Sequence, residues 1–142
     1  ISCIDHWGHR MTFSGVAHVA ITVGDLTRSK DWYGRVLDWQ PVMEGEGDGV
    51  TFSVGALPGG TLIGLRQYDK GGAGAFDPTR LGLDHLALGV DSPDQVATWE
   101  RRFADLGVTH DAPQETPYGH VLNFKDPDGI ALEIYAAPAD ST

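Results

Sequence analysis

The chain has 142 residues, 41% of them hydrophobic, which is enough for one modest core but not for two independent domains. Twenty acidic residues against ten basic ones give a net charge of −10, which argues against nucleic acid and membranes as partners because clustered Lys and Arg bind phosphate groups. The single cysteine, Cys3, excludes an internal disulfide, and no apolar stretch approaches the roughly 20 residues that cross a bilayer. We therefore expect a soluble protein of a reducing, cytoplasmic compartment.

After residues 1–14, which we expect to stand outside the fold as an N-terminal extension, the chain follows a strand-helix-strand-strand-strand pattern. Residues 16–23 are apolar and β-branched, and their alternation predicts a strand with His18 on one face. Asp25 is a good N-cap for the following helix, whose apolar stripe consists of Leu26, Trp32, Tyr33, Val36 and Leu37. Glycine-rich turns then separate three short predicted strands, at 40–44, 49–54 and 61–67.

The second half repeats this plan after a polar, glycine-rich linker. The predicted elements are a strand at 83–90, a helix from about Pro93 to Leu106 with Val96, Trp99, Phe103 and Leu106 buried, and strands at 108–114, 120–124 and 130–136. We therefore expect a single α+β domain over 15–137. Its parts are module one (15–68), the linker (69–81) and module two (82–137), with 138–142 as a C-terminal tail.

The two halves also match residue by residue. Residues 15–23 recur as 82–90, so His18 and His85 occupy equivalent positions. Residues 57–65 match 126–134, which sets Gly64 opposite Glu133. The repeat therefore keeps a histidine in both copies but a carboxylate in only one.

The matched positions predict a metal site. Because side chains alternate along a strand, His18, His85 and Glu133 can all point to one face of a curved sheet. Two imidazoles and one carboxylate leave coordination positions open for substrate, whereas a structural zinc is normally closed by four protein ligands. A lone histidine on a strand is more often a packing or surface residue, but two at equivalent positions favour one divalent ion, iron, manganese, nickel or zinc.

The chain resembles the vicinal oxygen chelate superfamily in four segments. These are the two predicted strands that carry His18 and His85, the helical Trp-Tyr-Gly-Arg-Val-Leu-Asp-Trp at 32–39, and residues 124–135. That superfamily includes glyoxalase I, bleomycin resistance proteins, fosfomycin resistance enzymes, methylmalonyl-CoA epimerase and extradiol dioxygenases. The resemblance implies two tandem βαβββ modules that form a U-shaped, partly closed mixed sheet around a cavity, commonly in a homodimer. Whether the modules of one chain face each other or those of a partner stays open.

The superfamily's metal positions fall on His18, Gly64, His85 and Glu133, and Gly64 supplies no ligand. The remaining three are the set of extradiol dioxygenases and fosfomycin enzymes. The resemblance implies that the ion chelates vicinal oxygens of a small substrate and stabilises an enolate-like intermediate. The chemistry also needs a general base, and the candidates are Glu133, if it leaves the metal, and the loop residue Glu115. Neither named activity transfers cleanly, because Asn123 stands where the dioxygenases have a tyrosine, and the fosfomycin enzymes' threonine is also absent.

Three further residues are candidates for substrate binding. Arg66 lies two positions beyond Gly64 on the same strand face and could pair with an anionic substrate group, or it could be a solvated arginine at the end of its strand. Asn123 is expected to face the metal, and Tyr118 lies in a loop beside the expected cavity mouth. Our leading hypothesis is a metal-dependent lyase, isomerase or dioxygenase acting on a small molecule. The alternative is a metal-free protein that sequesters a drug or natural product, as bleomycin resistance proteins do, and the acidic charge is compatible with a cationic guest.

Overall fold

The computed structural model describes residues 3–4, 6–72 and 74–139. Over these residues the strands are β1 (Cys3–Ile4), β2 (Arg10–Met11), β3 (His18–Thr22), β4 (Gln40–Gly47), β5 (Val50–Ala56), β6 (Leu62–Tyr68), β7 (Leu86–Val90), β8 (Gln114–Thr116), β9 (Gly119–Lys125) and β10 (Ala131–Ala136). The helices are α1 (Leu26–Leu37) and α2 (Pro93–Leu106). Parts of the expected extension (1, 2 and 5), linker (73) and tail (140–142) lie outside the described residues.

Each half of the chain forms its own four-stranded mixed sheet. The strand orders are β3-β6-β5-β4 and β7-β10-β9-β8. In the first sheet β3 runs parallel to β6, in the second β7 runs parallel to β10, and all other neighbours are antiparallel. In the part of the chain that the structure describes, the short strands β1 and β2 pair only with each other. The α+β class and the two tandem βαβββ modules are therefore confirmed.

Strand register places the repeated positions at equivalent points. Ala20 on β3 is paired with Gly64 on β6, and Ala87 on β7 is paired with Glu133 on β10. Paired residues of adjacent strands project from the same face of a sheet. The expected correspondence between Gly64 and Glu133 is thus confirmed by the hydrogen-bonding pattern of both sheets.

Both helices agree with their sequence signals. The Asp25 side chain accepts a hydrogen bond from the backbone N–H of Arg28 (2.9 Å), which caps α1 as expected, and α2 begins at Pro93 after Ser92. Two of the residues expected to be buried on α2 are only half-buried, because Trp99 and Leu106 border clefts. In the described part of the chain, neither helix is long and apolar enough to span a membrane.

One hydrophobic core joins the two modules. The buried side chains of β3, β6, β9, β10 and both helices belong to a single cluster, and Trp32 of module one stacks on Phe124 of module two with ring centroids 6.2 Å apart. The modules therefore pack through the faces that carry the helices. In each sheet the opposite face, which we call the open face, holds the predicted ligands: His18 in the first sheet, and His85 with Glu133 in the second.

The predicted strand at 108–114 is wrong over most of its length. In this segment only His110 forms an isolated bridge, to Phe124, and β8 begins at Gln114. Pro113 lacks the N–H that a ladder requires and restricts the residue before it, so the segment cannot continue pairing with β9.

Candidate metal and substrate site

A cleft of about 710 Å³ opens at one end of the second sheet, where β7 and β10 begin and β9 ends. Its lining includes His85, Asn123 and Glu133. Glu133 is paired with Asn123 on β9 and with Ala87 on β7, so His85, two residues before Ala87, lies on the same face. The structure therefore brings one predicted histidine ligand, the predicted carboxylate and a predicted substrate-binding residue to the open face of the second sheet.

His85 has a carboxylate neighbour that orients its ring. Its Nδ1 lies 2.6 Å from Oδ1 of Asp84, and both side chains are largely exposed. A neutral imidazole that donates its Nδ1–H to this carboxylate keeps the lone pair on Nε2, the atom that then remains available to a metal. Sequence reasoning missed Asp84, although an acidic residue directly before a candidate ligand was the available signal.

Glu133 and Asn123 are half-buried, and in the described ranges neither side chain has a hydrogen-bond partner. Lys125, paired with Ala131 one row away, lies on the same face and also lines the cleft. Sequence reasoning missed this lysine too, although its spacing of two from Asn123 on one strand indicated a shared face. The face thus offers a carboxylate, an amide and a cation that are not committed to structural contacts.

His18 lies apart from this group. It begins β3 in the first sheet, is exposed, and is paired with Leu62 on β6. No group of three or more His, Cys, Asp or Glu side chains that could hold a metal ion occurs within residues 3–4, 6–72 and 74–139. Among the strands that the structure describes, none pairs one sheet with the other, and the sheets pack through their helix-bearing faces. One chain therefore presents its three predicted ligands as two separate sets.

Arg66 also belongs to the first sheet, and Tyr118 faces neither set. Arg66 is paired with Thr22 on β3 and Phe52 on β5, on the same face as Gly64. Tyr118 is 79% exposed in the turn between β8 and β9, and its backbone carbonyl accepts a hydrogen bond from the Tyr135 hydroxyl (2.6 Å). Of the three predicted substrate-binding residues, only Asn123 therefore shares a cleft with His85 and Glu133.

His110 lines the same cleft but belongs to the other face of the sheet. It bridges to Phe124, and its ring centroid lies 6.0 Å from that of Phe103 in the core. Its Nδ1 is 2.7 Å from the carbonyl oxygen of Asp111, to which a neutral ring donates. Because Asn123 and Glu133 project from the open face, His110 is poorly placed to exchange protons with a ligand bound to them.

A family model described as the Glyoxalase/Bleomycin resistance protein/Dioxygenase superfamily matches residues 15–134. The chain belongs to this superfamily. The match begins just before β3 and ends within β10, so it includes both βαβββ modules and leaves out the β1–β2 hairpin.

Relatives within the superfamily are both close and distant. A glyoxylase/bleomycin resistance protein/dioxygenase domain from Frankia sp. EAN1pec is 44% identical, with a TM-score of 0.84 over 91% of this chain and 96% of that one. A probable lactoylglutathione lyase of Vibrio cholerae is 27% identical over 84% of this chain and 88% of that protein. The fosfomycin resistance protein FosX of Listeria monocytogenes, 18% identical with a TM-score of 0.69, covers 89% of this chain and 94% of its own, and shares the fold.

Within one chain, the candidate ligands that lie together are too few to complete a transition-metal site. His85 and Glu133 supply one imidazole and one carboxylate, which suit iron, manganese, nickel or zinc. The equivalent positions of the first sheet supply His18 and no carboxylate, because Gly64 stands where Glu133 stands in the second. A complete three-ligand set therefore requires the open faces of both kinds of module to meet.

Proposed function

We propose that the protein is a small metal-dependent enzyme of the glyoxalase/dioxygenase type, in which His85 and Glu133 of one chain and His18 of a second copy hold one divalent ion. The observation that carries this proposal is the pairing on the second sheet. The imidazole of His85, directly before β7, is hydrogen-bonded through Nδ1 to Asp84, and it lines the same cleft as the uncommitted carboxylate of Glu133 on the adjacent strand β10. His18 occupies the equivalent position on the first sheet.

Exposed strand edges support a homodimer as the way to assemble the site. Strands β3 and β7 each lie at the edge of their sheet, with one side unpaired in a single chain. The segments that lead into them expose large apolar side chains at equivalent positions, Val16 (84%) and Leu83 (41%), with Phe13 and Leu81 fully exposed nearby. Bare edges flanked by apolar side chains favour association with another chain. Contact between β3 of one copy and β7 of another would bring His18 close to His85.

The chain's own residues suggest how a substrate would be held. A divalent ion in this position would act as a Lewis acid toward two neighbouring oxygens of the substrate. Asn123 can donate its amide N–H groups to a substrate oxygen, and Lys125 can neutralise negative charge on the same face. Glu133 is the carboxylate available there to accept a proton when it is not bound to metal. Metal dependence also agrees with a relative of the same fold, since a FosX variant was crystallised with Mn(II) and a dihydroxypropylphosphonic acid.

A second candidate is a metal-free binding protein that sequesters a drug or natural product. The observation that favours it is Gly64, which offers no fourth ligand, together with a wide cleft on which several polar groups have no partner. Such a protein would use the same faces for binding but would have no requirement for His18 or Glu133.

Metal analysis of complementary variants tests both candidates. Protein without a polyhistidine tag is reconstituted with each metal and measured by elemental analysis, as wild type, His18→Ala and Glu133→Ala. We expect about one equivalent per chain in wild type and none in either variant. When the two variant chains are unfolded together and refolded, mixed dimers regain one intact site, so metal binding partly returns.

The outcomes separate the alternatives. Loss in both variants without recovery in the mixture would place the whole site within one chain and contradict the two-copy arrangement. No metal in wild type after reconstitution with any of the four ions would refute the enzyme proposal and favour sequestration.

A further inference from the structure

We infer that the open face of the first sheet carries a binding site for an organic anion, in which Arg66 is held between Phe52 and Tyr68. The inference deepens the proposed function, because His18 projects from the same face and the anion site would select the class of substrate. The ligand is a small molecule with a carboxylate, phosphonate or phosphate group attached to an apolar or aromatic body.

The three side chains form one cluster. Phe52 is paired with Arg66, and Tyr68 follows Arg66 by two residues on β6, so all three project from the face opposite α1. The guanidinium carbon lies 5.4 Å from the Phe52 ring centroid and 5.8 Å from the Tyr68 ring centroid. Nε–H of Arg66 donates to the Tyr68 hydroxyl (3.2 Å). Two cation–π contacts and one hydrogen bond hold the guanidinium in place before any ligand binds.

Arg66 keeps most of its donors free. A guanidinium has five N–H groups, and within the described part of the chain only the Nε–H of Arg66 has a hydrogen-bond partner. Among the described residues no carboxylate forms an ion pair with Arg66, whereas Arg28 pairs with Asp128 and Arg80 pairs with Asp77. Arg35, Arg101 and Arg102 also have no carboxylate partner there, so the missing ion pair alone does not mark a site. Arg66 differs because two aromatic rings and the Tyr68 hydroxyl orient its guanidinium, which leaves the Nη groups available to an external anion.

The sheet next to the arginine is a smooth, apolar surface. Between the rows of His18 and Arg66 lies a row with Ala20, Gly64 and Val54. A Cβ on Gly64 would meet Ala20 Cβ at 3.6 Å and Val54 Cγ2 at 3.7 Å, which are ordinary contacts, so glycine leaves a shallow hollow there. Rows on one face are about 7 Å apart. A flat apolar body over this hollow would reach Arg66 at one end and His18 at the other.

Phe52 also has a fixed position. A Cβ on Gly45 of β4 would meet Phe52 Cζ at 2.7 Å, so the ring covers the glycine and lies flat against the sheet. Glycine at position 45 thus allows the ring to form one wall of the site beside the guanidinium. A planar anionic ligand could stack near this ring while its oxygens accept hydrogen bonds from the two Nη groups of Arg66.

Ligand titration of metal-free protein tests the site. Nuclear magnetic resonance spectra of the full chain in excess EDTA are recorded with phenylacetate, phenylphosphonate, the neutral phenylacetamide and the cationic phenethylamine. We expect the two anions to shift the Arg66 Nε–H signal and to bind about tenfold more tightly than the amide, with the amine weakest. Comparison of the two acids shows whether carboxylate or phosphonate is preferred.

Charge-matched variants identify the residue responsible. Arg66→Gln should weaken anion binding about tenfold, to the level of the amide, and Arg66→Lys should give an intermediate value because it keeps charge but loses the planar fork. Arg80→Gln removes the same charge from an exposed position elsewhere and should leave binding unchanged. Thermal unfolding of each variant shows that the fold is retained.

Three results would overturn the inference: neither acid binds, the amide binds as tightly as the acids, or Arg66→Gln binds like wild type. Because the titration contains no metal, its outcome is independent of the proposed function. If wild type binds no metal but His18→Ala still binds the anions, the anion site is supported and the proposal of a metal-dependent enzyme is refuted. If wild type binds metal but not the anions, the proposed function is supported and the anion site is refuted.

Discussion

The two modules share a backbone plan but differ in the side chains they present. On the open face of the second sheet, Glu133 and Asn123 form a paired row, and the equivalent row of the first sheet holds Gly64 and Val54. The first sheet instead holds an oriented Arg66. The two modules thus share the histidine position and the strand register, while one presents a carboxylate and an amide and the other presents an apolar surface with a cation.

The cores of the modules differ in a complementary way. In module one, the Trp39 indole covers Gly55 of β5 and donates its Nε1–H to the Ile63 carbonyl (3.0 Å). In module two, register places Phe124 of β9 where Gly55 stands, and the residue that matches Trp39 in the repeat is Leu106, the last residue of α2. The large ring therefore comes from the end of the helix in one copy and from the strand in the other, so the same volume is filled by different sequence positions.

The largest expected effect is on metal affinity, in a variant that removes the carboxylate by which the two open faces differ. Glu133→Gln makes the second sheet resemble the first by removing its carboxylate, and we expect metal affinity to fall by about a hundredfold or more because the charged ligand is lost. Competition with a fluorescent chelator measures the change. Glu115→Gln, which removes the same charge from an exposed residue of β8, should bind metal like wild type. An unchanged affinity in Glu133→Gln would exclude this residue as a ligand.

Two glycines of the first sheet sharpen the comparison of the cores. A Cβ on Gly55 would overlap the buried Trp39 indole, so Gly55→Ala should lower the free energy of unfolding by about 2–3 kcal/mol. Gly64→Ala meets only ordinary contacts and should change it by less than about 1 kcal/mol. Guanidinium unfolding of both variants provides the measurement. If both variants lose less than about 1 kcal/mol of unfolding free energy, Trp39 can move aside and the position of its ring is not fixed.

Much of this architecture follows from the sequence, for physical reasons that are local. The N-cap Asp25, the helix-starting Pro93 and the alternation around His18 and His85 specify helices and strands through short-range sterics and hydrogen bonds. The strand expected at 108–114 failed because Pro113 interrupts pairing that the apolar pattern alone suggested. How the modules pack is not encoded locally, since it depends on contacts between residues far apart in the sequence, such as Trp32 with Phe124 and Tyr33 with Asp126. The separation of His18 from Glu133 therefore emerged only from the three-dimensional packing.

A buried pair ties the modules together and gives an intermediate effect. The Tyr33 hydroxyl on α1 donates to Oδ2 of Asp126 (3.0 Å), whose Oδ1 accepts from the backbone N–H groups of Asp128 and Ile130. Burial raises the pKa of the Asp126 carboxyl. Tyr33→Phe removes a side-chain donor to this buried group, and we expect unfolding to require about 1–2 kcal/mol less free energy. Tyr118→Phe, at an exposed ring, should change stability little.

The same pair predicts alkaline sensitivity. Burial, and then the neighbouring Asp126 carboxylate, raise the pKa of Tyr33 well above its ordinary value of about 10. Folded Tyr33 therefore stays protonated where the unfolded chain loses this proton, so its contribution to stability is complete below about pH 10 and is lost as the pH rises further. Unfolding measured across this range should show a steeper loss in wild type than in Tyr33→Phe. Parallel curves would show that Tyr33 ionises normally.

The smallest expected effect concerns the residue that precedes each of the two histidines. His85 is preceded by Asp84, which fixes its ring, and His18 is preceded by Ala17. Asp84→Ala makes the second histidine resemble the first, and we expect metal affinity to fall by about tenfold because the imidazole loses its orienting acceptor. Asp69→Ala, an equal charge change in an exposed loop, controls for long-range electrostatics. If both variants weaken binding equally, Asp84 acts only as a distant charge, and orientation of the His85 ring contributes nothing to the site.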